Sequence, residues 1–340
     1  MPELRKDPLT GRWVIISVER AKRPSDFSSQ RIDPDEGKCP FCEGKEPNTP
    51  PEIYAIRKDG AGENQSGWDV RVVPSNAPFL RIEGELERSG KGIYDVLSGI
   101  GAHEIIIETP QHIKNIADLD EGQIAKVIST YVERVKDLEK DPRFKYVIVF
   151  KNYGWSAGAG RVRHSRTQLI ATPVTPKRVK EELTVARKYY ELHERCIFCD
   201  LINQEINTQE RLVLDIDGFI TITPFASRFP FEVCILPKNH SCDFYDFDFN
   251  QSLDLAKIIK KTLLKLKKGL NDPPFNLILH AAPFKRKKAG YWKTINEDYH
   301  WHIEIIPRLT RVAGFEWGTG FYICPIPPED AAQYLKETEV

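Results

Sequence analysis

The sequence predicts an α+β protein made of two similar halves, residues 1–178 and 179–340, each with an antiparallel sheet and one long helix. Two observations carry this prediction. One order of motifs, strands and helix occurs twice along the chain. The strands also follow one another too closely to be joined by the crossover helices that a parallel sheet needs. We therefore expect an internal duplication, with the helices on one face of each sheet.

The duplication is read from two series of matching segments. In the first half, the pair CPFC precedes the strand-like runs HEIIIETPQH and FKYVIVF and the segment HSRTQLIATP. In the second half, CIFC precedes FEVCILPKNH, FNLILH and YHWHIEIIP in the same order. His112 follows Glu104 by eight positions, and His240 follows Glu232 by eight positions. A repeat of this kind predicts two copies of one supersecondary unit.

Each half also contains a helical pattern. Apolar residues recur every three or four positions over 124–138 and again over 253–266, which is typical of one buried helix face. Both patterns stop shortly before a proline, which cannot continue a helix. A third helical pattern at 175–194 is expected to connect the two halves.

The composition excludes some classes of function. The chain carries 49 basic and 49 acidic residues, so no excess of positive charge favours nucleic acid. The charged, proline-containing N-terminal segment is unlike a secretory signal, and no apolar run approaches the ~20 residues of a spanning helix. We expect a cytoplasmic protein with no membrane or nucleic-acid partner.

Cysteine spacing points to metal or redox chemistry. Four of the seven cysteines form two Cys-x-x-Cys pairs, and each half supplies two histidines at matching places. A redox dithiol typically begins a helix, whereas the aromatic residue inside each pair is typical of zinc knuckles. We predict two structural Zn²⁺ sites, with redox or free thiols as the alternative. The predicted ligands are Cys39, Cys42, His112 and His164 in the first half, and Cys196, Cys199, His240 and His300 in the second. His103, His193 and His280 are expected to be hydrogen-bonded histidines without a metal.

Several segments resemble the galactose-1-phosphate uridylyltransferase family and its ADP-glucose phosphorylase relatives, over nearly the whole chain. They are HEIIIETPQH, NYGWSAGAG, HSRTQLIATP, CIFCD, YHWHIEIIPR and GFEWGTGFYICPIPPEDA. The resemblance implies two histidine-triad-like halves, zinc and a homodimer. It also implies transfer of a nucleoside monophosphate from a nucleotide sugar or other diphospho donor to a phosphate or sugar-phosphate acceptor, through a histidine intermediate.

The family offers more than one substrate pair. UDP-glucose with a hexose 1-phosphate is the first expectation from the resemblance. An adenylyltransferase, such as ADP-glucose phosphorylase or adenylylsulfate:phosphate adenylyltransferase, is an alternative. A catalytically inactive protein that binds nucleotides is another.

Candidate substrate contacts come mainly from the resemblance. It implies nucleotide contacts at Asn76, Asn152 and Gln168, and sugar or acceptor contacts at Phe315 and Glu316. Two further candidates come from loop composition. Gly158 can offer a backbone N–H to phosphate, and Lys285, in the basic run 285–288, can neutralise phosphate charge.

The first-half motif departs from the family pattern His-x-His-x-Gln, whose second histidine is the nucleophile. Aligned through Gln168, that place holds Arg166, whose guanidinium can clamp a phosphate but cannot attack phosphorus. The second half keeps both histidines, His300 and His302, and Glu304 matches Gln168 in offset. Residues two apart on a strand face the same side, so the two histidines are expected to share a site. His302 is thus a candidate nucleophile. The alternatives are a structural or metal-bound His302, and direct transfer without a covalent intermediate.

Overall fold

The computed structural model describes residues 2–18, 39–160, 162–246, 248–286 and 292–340. Their strands form three sheets, the largest of which has ten strands with antiparallel pairings throughout. The strands are β1 (Glu3–Lys6), β2 (Trp13–Ile16), β3 (Tyr54–Arg57), β4 (Trp68–Pro74), β5 (Arg88–Lys91), β6 (Tyr94–Leu97), β7 (Ala102–Ile107), β8 (Tyr146–Tyr153), β9 (Arg166–Thr172), β10 (Leu212–Ile216), β11 (Phe219–Ile222), β12 (Val233–Pro237), β13 (Phe275–His280), β14 (His302–Pro307) and β15 (Tyr322–Cys324).

The three long helices predicted from apolar periodicity are confirmed. The first begins after the N-cap Asp120, and the third of the long helices has a capping box between Asp248 and Gln251. None of the helices described is long and apolar enough to cross a membrane. The helices are α1 (Glu121–Glu139), α2 (Lys177–His193), α3 (Ile197–Thr208), α4 (Phe249–Gly269), α5 (Ile295–Asp298), α6 (Gly314–Thr319) and α7 (Pro328–Glu337).

The large sheet joins both halves of the chain through a pair of antiparallel strands, β8 and β13. Outward from this pair, one side runs β9, β7, β4 and β3, and the other runs β14, β12, β11 and β10. On the first side the long helix α1 connects β7 to β8 along the chain, and on the second side α4 connects β12 to β13 in the same way. The predicted α+β class and antiparallel pairing are confirmed, within one shared sheet.

Helices cover both faces of this sheet. Apolar residues of α1 and α4 form one core with Val149 and Leu277. On the opposite face, α2 and α3 pack over Ile222 and Leu236 of the second half. The expectation that helices lie on one face is therefore wrong for the second half. The physical reason is that the connecting helix and α3 also carry apolar faces, which must be buried.

The two glutamates that lie eight positions before the predicted histidine ligands have different structural places. Glu104 pairs across β7 and β9 with the core residue Leu169, and it forms two hydrogen bonds of 2.8 Å with Arg134 of α1. Glu232 directly precedes the core residue Val233, so it faces away from α1 and α4. The two glutamates are consequently not structural equivalents, although their sequence offsets match.

Candidate functional site

The first Cys/His set comes together at one end of the sheet. Its four candidate ligand atoms lie within 4.8 Å of one another. The Nδ1 atom of His164 faces the Cys39 thiol at 3.5 Å, and Nδ1 of His112 faces Cys42 at 3.4 Å. The His164 Nε2 donates to the Thr109 carbonyl at 2.7 Å, which leaves Nδ1 free to coordinate. Two thiols and two imidazoles in this arrangement can hold a tetrahedral Zn²⁺.

The second Cys/His set has the same arrangement. Its candidate ligand atoms also lie within 4.8 Å of one another, and both ring Nε2 atoms face backbone carbonyls, at 2.7 and 2.9 Å. Cys199 faces Nδ1 of His240 at 3.3 Å and Nδ1 of His300 at 3.8 Å. Cys196 is the N-cap of α3, so the second pair begins a helix, as redox dithiols typically do. The two imidazoles nevertheless suit a metal site better than a redox dithiol.

A cavity of about 440 Å³ adjoins the first Cys/His set. We call it the first-half cavity. It is bounded by β8, β9, the glycine-rich loop between them and the loop before β13. Its walls combine three basic side chains, one acidic side chain and an exposed indole. The polar and aromatic residues in the wall include Lys114, Asn152, Trp155, Arg163, Arg166 and Asp272. Such a cavity suits an anionic ligand that also has a flat or apolar part.

Arg166 lines the cavity and also holds its wall in place. The guanidinium donates to the backbone carbonyls of Ala159, Val162 and His164, and it lies 5.8 Å from the ring centroid of Phe41. Burial lowers the pKa of this arginine, although nearby acidic groups oppose the shift. Only some of its five N–H donors remain available to a ligand. The side chain that is predicted to clamp a phosphate therefore also stabilises the loop.

A buried ionic network supports β9 from the α1 side of the sheet. The Lys151 ammonium pairs with Glu108, and it donates to the Ser165 hydroxyl at 3.1 Å and to the Arg166 carbonyl at 3.0 Å. Burial lowers the pKa of Lys151, and the Glu108 carboxylate opposes this shift. Neither residue is among the candidates predicted from the sequence. The signal that could have found Lys151 is a lysine that directly follows the apolar run YVIVF within one predicted strand.

Asn152 in the cavity wall and Gln168 beside it each have a hydrogen-bond partner that the sequence does not predict. The Asn276 amide donates to Oδ1 of Asn152 at 2.8 Å across β8 and β13. The ring of His103 lies 3.1 Å, through Nε2, from Oε1 of Gln168. His103 is thus a hydrogen-bonded histidine, as expected. Gln168 lies two residues along β9 from Arg166 and on the same face, just outside the cavity lining.

His302 and Glu304 lie in a different place, which we call the second-half cluster (Glu182, His280, His302 and Glu304). The rings of His280 and His302 stack with centroids 4.6 Å apart. Glu182 and Glu304 lie 3.2 and 3.3 Å from the two nitrogens of His280. Burial opposes protonation, but these carboxylates raise the pKa of His280 to about 10. Burial and then the charge of His280 lower the pKa of His302 to about 4.

The structure places His300 and His302 in separate clusters, contrary to the expectation that they share one site. His300 belongs to the second Cys/His set, whereas His302 stacks on His280. The structure also does not bring His302 to Arg166. Their strands, β14 and β9, are separated by β13 and β8, so the two strands are roughly 14 Å apart at three strand spacings. His302 is 3% exposed and lies outside the lining of the first-half cavity.

Lys285 does not reach the first-half cavity either, which corrects its predicted role. Its ammonium pairs with Asp243. The adjacent Phe284 donates its backbone N–H to the residue before β8, at the end of that strand remote from Asn152. A local ion pair therefore satisfies this charge, as is usual for basic runs. The last two residues of the run, 287 and 288, lie outside the described residues.

The four other predicted substrate contacts lie outside the wall of the first-half cavity. Gly158 adopts a left-handed conformation, with φ of 86°, and its carbonyl lies 3.5 Å from the Asn152 amide nitrogen. Asn76 is exposed just after β4. Phe315 and Glu316 lie on the exposed helix α6, where the Glu316 carboxylate accepts from the backbone N–H at the start of that helix. None of these four residues lines the first-half cavity among the residues described.

Two family models match the chain. The model described as the C-terminal domain of galactose-1-phosphate uridyl transferase matches residues 182–333. The N-terminal domain of a family of unknown function, DUF4931, matches residues 91–173. Together the matched segments include β9 with Arg166 and β14 with His302.

Individual relatives match over the full length. An ADP-glucose phosphorylase of Arabidopsis thaliana is 36% identical over 100% of this chain and 93% of the relative. A galactose-1-phosphate uridylyltransferase of Thermotoga maritima is 29% identical over 100% of this chain and 99% of the relative. A crystal structure of an Arabidopsis thaliana ADP-glucose phosphorylase with bound ADP-glucose has a TM-score of 0.83 and 34% identity, and covers 100% of both chains. This chain therefore belongs to the galactose-1-phosphate uridylyltransferase family and is a nucleotidyltransferase.

Proposed function

We propose that the protein transfers a nucleoside monophosphate from a nucleotide sugar to a phosphate-bearing acceptor in the first-half cavity. The observation that carries this proposal is the cavity itself, which joins basic side chains, a glycine-rich loop and a Cys/His set at β9. Arg166 and Asn152 lie on neighbouring strands at this place. Donors that converge on phosphate oxygens stabilise the charge that develops during transfer.

The similar proteins suggest two pairs of substrates. ADP-glucose with inorganic phosphate is favoured by the relative that is 36% identical over the whole chain. UDP-glucose with a hexose 1-phosphate, the first expectation from sequence, is favoured by the relative at 29% identity. Both reactions would use the same donors around the transferred phosphate, and they would differ in the base and the acceptor.

A panel of donors tests this proposal. ADP-glucose, UDP-glucose and adenylylsulfate are each incubated with labelled phosphate and with labelled hexose 1-phosphate, and label in the product nucleotide or sugar is counted. We expect turnover with at least one nucleotide sugar. Nucleotide binding without turnover of any donor would instead show the inactive binding protein that Arg166 suggests as an alternative.

The positions of the histidines favour direct transfer without a covalent intermediate. All eight histidines of the chain lie in the described residues. In the first-half cavity the only one is His164, whose two ring nitrogens face thiols and a carbonyl. His103 is hydrogen-bonded through both nitrogens, His193 stacks on Tyr189 outside the cavity, and His302 lies in the second-half cluster.

In direct transfer, an oxygen of the acceptor phosphate attacks the α-phosphorus of the donor. One P–O bond forms to the acceptor, and the P–O bond to the β-phosphate breaks. The leaving sugar phosphate takes the bonding electron pair. Arg166, Asn152 and Gln168 would offset the negative charge on the transferred group. The stereochemistry at the α-phosphorus distinguishes this route from a histidine intermediate.

We further propose that each Cys/His set binds one structural Zn²⁺. Support comes from the four soft or borderline donors gathered in each set and from the carbonyls that orient the imidazoles. Metal analysis of the purified protein should give about two zinc ions per chain. A value near zero would contradict this proposal.

We also propose that residues 1–178 and 179–340 are histidine-triad-like halves of a duplicated unit, and that the protein is a homodimer. The matching strand orders on the two sides of the β8–β13 pair support the duplication. Family resemblance supports the dimer. Light scattering during size-exclusion chromatography tests the assembly, and a mass of one chain would contradict it.

A further inference from the structure

We propose that Asn276 and His103 are positioning residues that hold the amides of Asn152 and Gln168 with their NH₂ groups turned toward the phosphates of the substrate. This inference rests on the proposed function, which makes those two amides phosphate donors. Neither Asn276 nor His103 needs to touch the substrate. Each fixes the orientation of an amide that would otherwise present either its oxygen or its nitrogen.

For Asn276, the polarity is dictated by a backbone carbonyl. Its amide lies 2.9 Å from the Ala157 carbonyl oxygen, which can only accept a hydrogen bond. The Asn276 atom at this place must therefore be Nδ2. The same Nδ2 lies 2.8 Å from Asn152, so the Asn152 atom facing it must be the acceptor Oδ1. The Asn152 NH₂ group is consequently turned away from Asn276, and its contact with the Gly158 carbonyl is long at 3.5 Å.

For His103, the polarity is dictated by a backbone amide. The Phe79 N–H, which can only donate, lies 3.3 Å from Nδ1 of His103. Nδ1 must therefore carry the lone pair, and Nε2 of the neutral ring carries the proton. That Nε2 donates to Oε1 of Gln168 at 3.1 Å. Burial lowers the pKa of His103, although the hydrogen bond to Gln168 opposes this shift. The lowered pKa favours the neutral ring.

The two chains of hydrogen bonds have the same outcome at the site. Asn152 on β8 and Gln168 on β9 lie on one face of the sheet, because Gln168 pairs with Phe150 and Asn152 is two residues further. Phosphate oxygens only accept hydrogen bonds, so an amide that presents its oxygen would repel the ligand. Fixing both amides in advance removes the free-energy cost of orienting them during binding.

Asn276 also explains how the second half contributes to a site in the first half. It pairs with Asn152 at the junction of β8 and β13, where the two series of strands meet. The second half therefore supplies a polar group across the junction. This contribution does not require any residue of the second-half cluster.

The first experiment compares Asn276→Ala with the isosteric Asn276→Asp by calorimetric titration of ADP-glucose and UDP-glucose. The carboxylate can only accept, so it would turn the Asn152 oxygen toward the phosphates. We expect Asn276→Ala to weaken donor binding about fivefold, because the Asn152 amide is then free to turn either way. We expect Asn276→Asp to weaken it about 50-fold, because the Asn152 oxygen is then held against the charged phosphate. A role in packing alone predicts the reverse order, and that order would overturn the proposal.

A double-mutant cycle separates amide orientation from simple charge repulsion. In an Asn152→Ala background, Asn276→Asp should have little further effect on donor binding, because the amide through which it acts is gone. If the full loss persists in that background, the proposed role of Asn276 is wrong. Thermal unfolding of each variant confirms that the binding data refer to folded protein.

His103 is tested in the same way with Gln168. His103→Phe keeps a ring against Phe79 but removes the donor, and we expect donor binding about tenfold weaker. His103→Gln restores an N–H donor and should recover most of this loss. In a Gln168→Ala background His103→Phe should have little effect, and an undiminished effect there would overturn the role of His103.

The single variants Asn152→Ala and Gln168→Ala distinguish failure of this inference from failure of the proposed function. If Asn152→Ala and Gln168→Ala leave both binding and transfer unchanged, the proposed site itself is wrong. If they impair binding but show no coupling to Asn276 or His103, only the positioning role is wrong.

Discussion

The first-half cavity and the second-half cluster occupy comparable places in the two halves and differ in access. Extending the β8–β9 register puts Asn152 opposite Arg166, and His280 is paired with His302 across β13 and β14. Both pairs lie beside a Cys/His set. The first pair borders an open cavity of about 440 Å³. The second pair is stacked and buried.

The covering elements explain this difference. In the second half, α2 places Glu182 against His280, and the N-terminal segment Asp7–Thr10 lies over the same region, where only about 50 Å³ remains open. Similar Cys/His sets can thus support either a binding cavity or a sealed polar core. Access to solvent, and not the Cys/His sets, is therefore what distinguishes the two halves.

Exchanging the central side chain in each half gives the largest expected contrast. Arg166→Gln should lower the transfer rate about 100-fold or more, because it removes the charge that stabilises the transferred group and the hydrogen bonds that stabilise the loop. His302→Asn should change the rate of folded enzyme less than about threefold, while costing about 1–3 kcal/mol of stability through a lost buried partner. Steady-state rates and denaturant unfolding measure the two effects. An equal loss of rate in both variants would break the comparison.

Removing one proposed metal ligand from each half should give a smaller contrast. Cys39→Ser and Cys196→Ser should each reduce the zinc content by about one ion per chain. Cys39→Ser should also lower transfer roughly 10–100-fold, because the first set anchors His164 beside Arg166. Cys196→Ser should act mainly on thermal stability. Greater loss of transfer in Cys196→Ser would show that the second half takes part in the reaction.

Lys285 should give the smallest effect. Its ammonium is paired with Asp243 away from the cavity, and a partly exposed pair contributes at most about 1 kcal/mol to stability. Lys285→Ala should therefore leave kcat and KM for the nucleotide sugar within about twofold, given that small energy. A marked rise in KM would restore the role that the sequence suggested for this lysine.

Sequence patterns anticipated the features that depend on spacing. The long helices follow from apolar periodicity, and the Cys/His sets follow from paired thiols with histidines at repeated places. Metal-binding cysteine pairs and buried helix faces both produce regular residue spacings. Lys285 was misplaced because a basic run reveals its charge and not its partner.

Other features depend on contacts across strands and could not be read from spacing. Asn276, His103 and Glu182 are unremarkable in sequence, yet each is fixed by a partner from another element. The false match between Glu104 and Glu232 has the same origin. A shift of one residue turns a side chain to the other face of a sheet, and equal offsets do not reveal it.

The stereochemical course at the α-phosphorus tests the central claim most directly. A nucleotide sugar with a chiral α-thiophosphate of known configuration is turned over, and the configuration of the product is determined by ³¹P NMR. Direct transfer in the first-half cavity predicts inversion, because one displacement occurs at phosphorus. Retention would require two displacements, and it would contradict the account by demanding a nucleotidyl-enzyme intermediate.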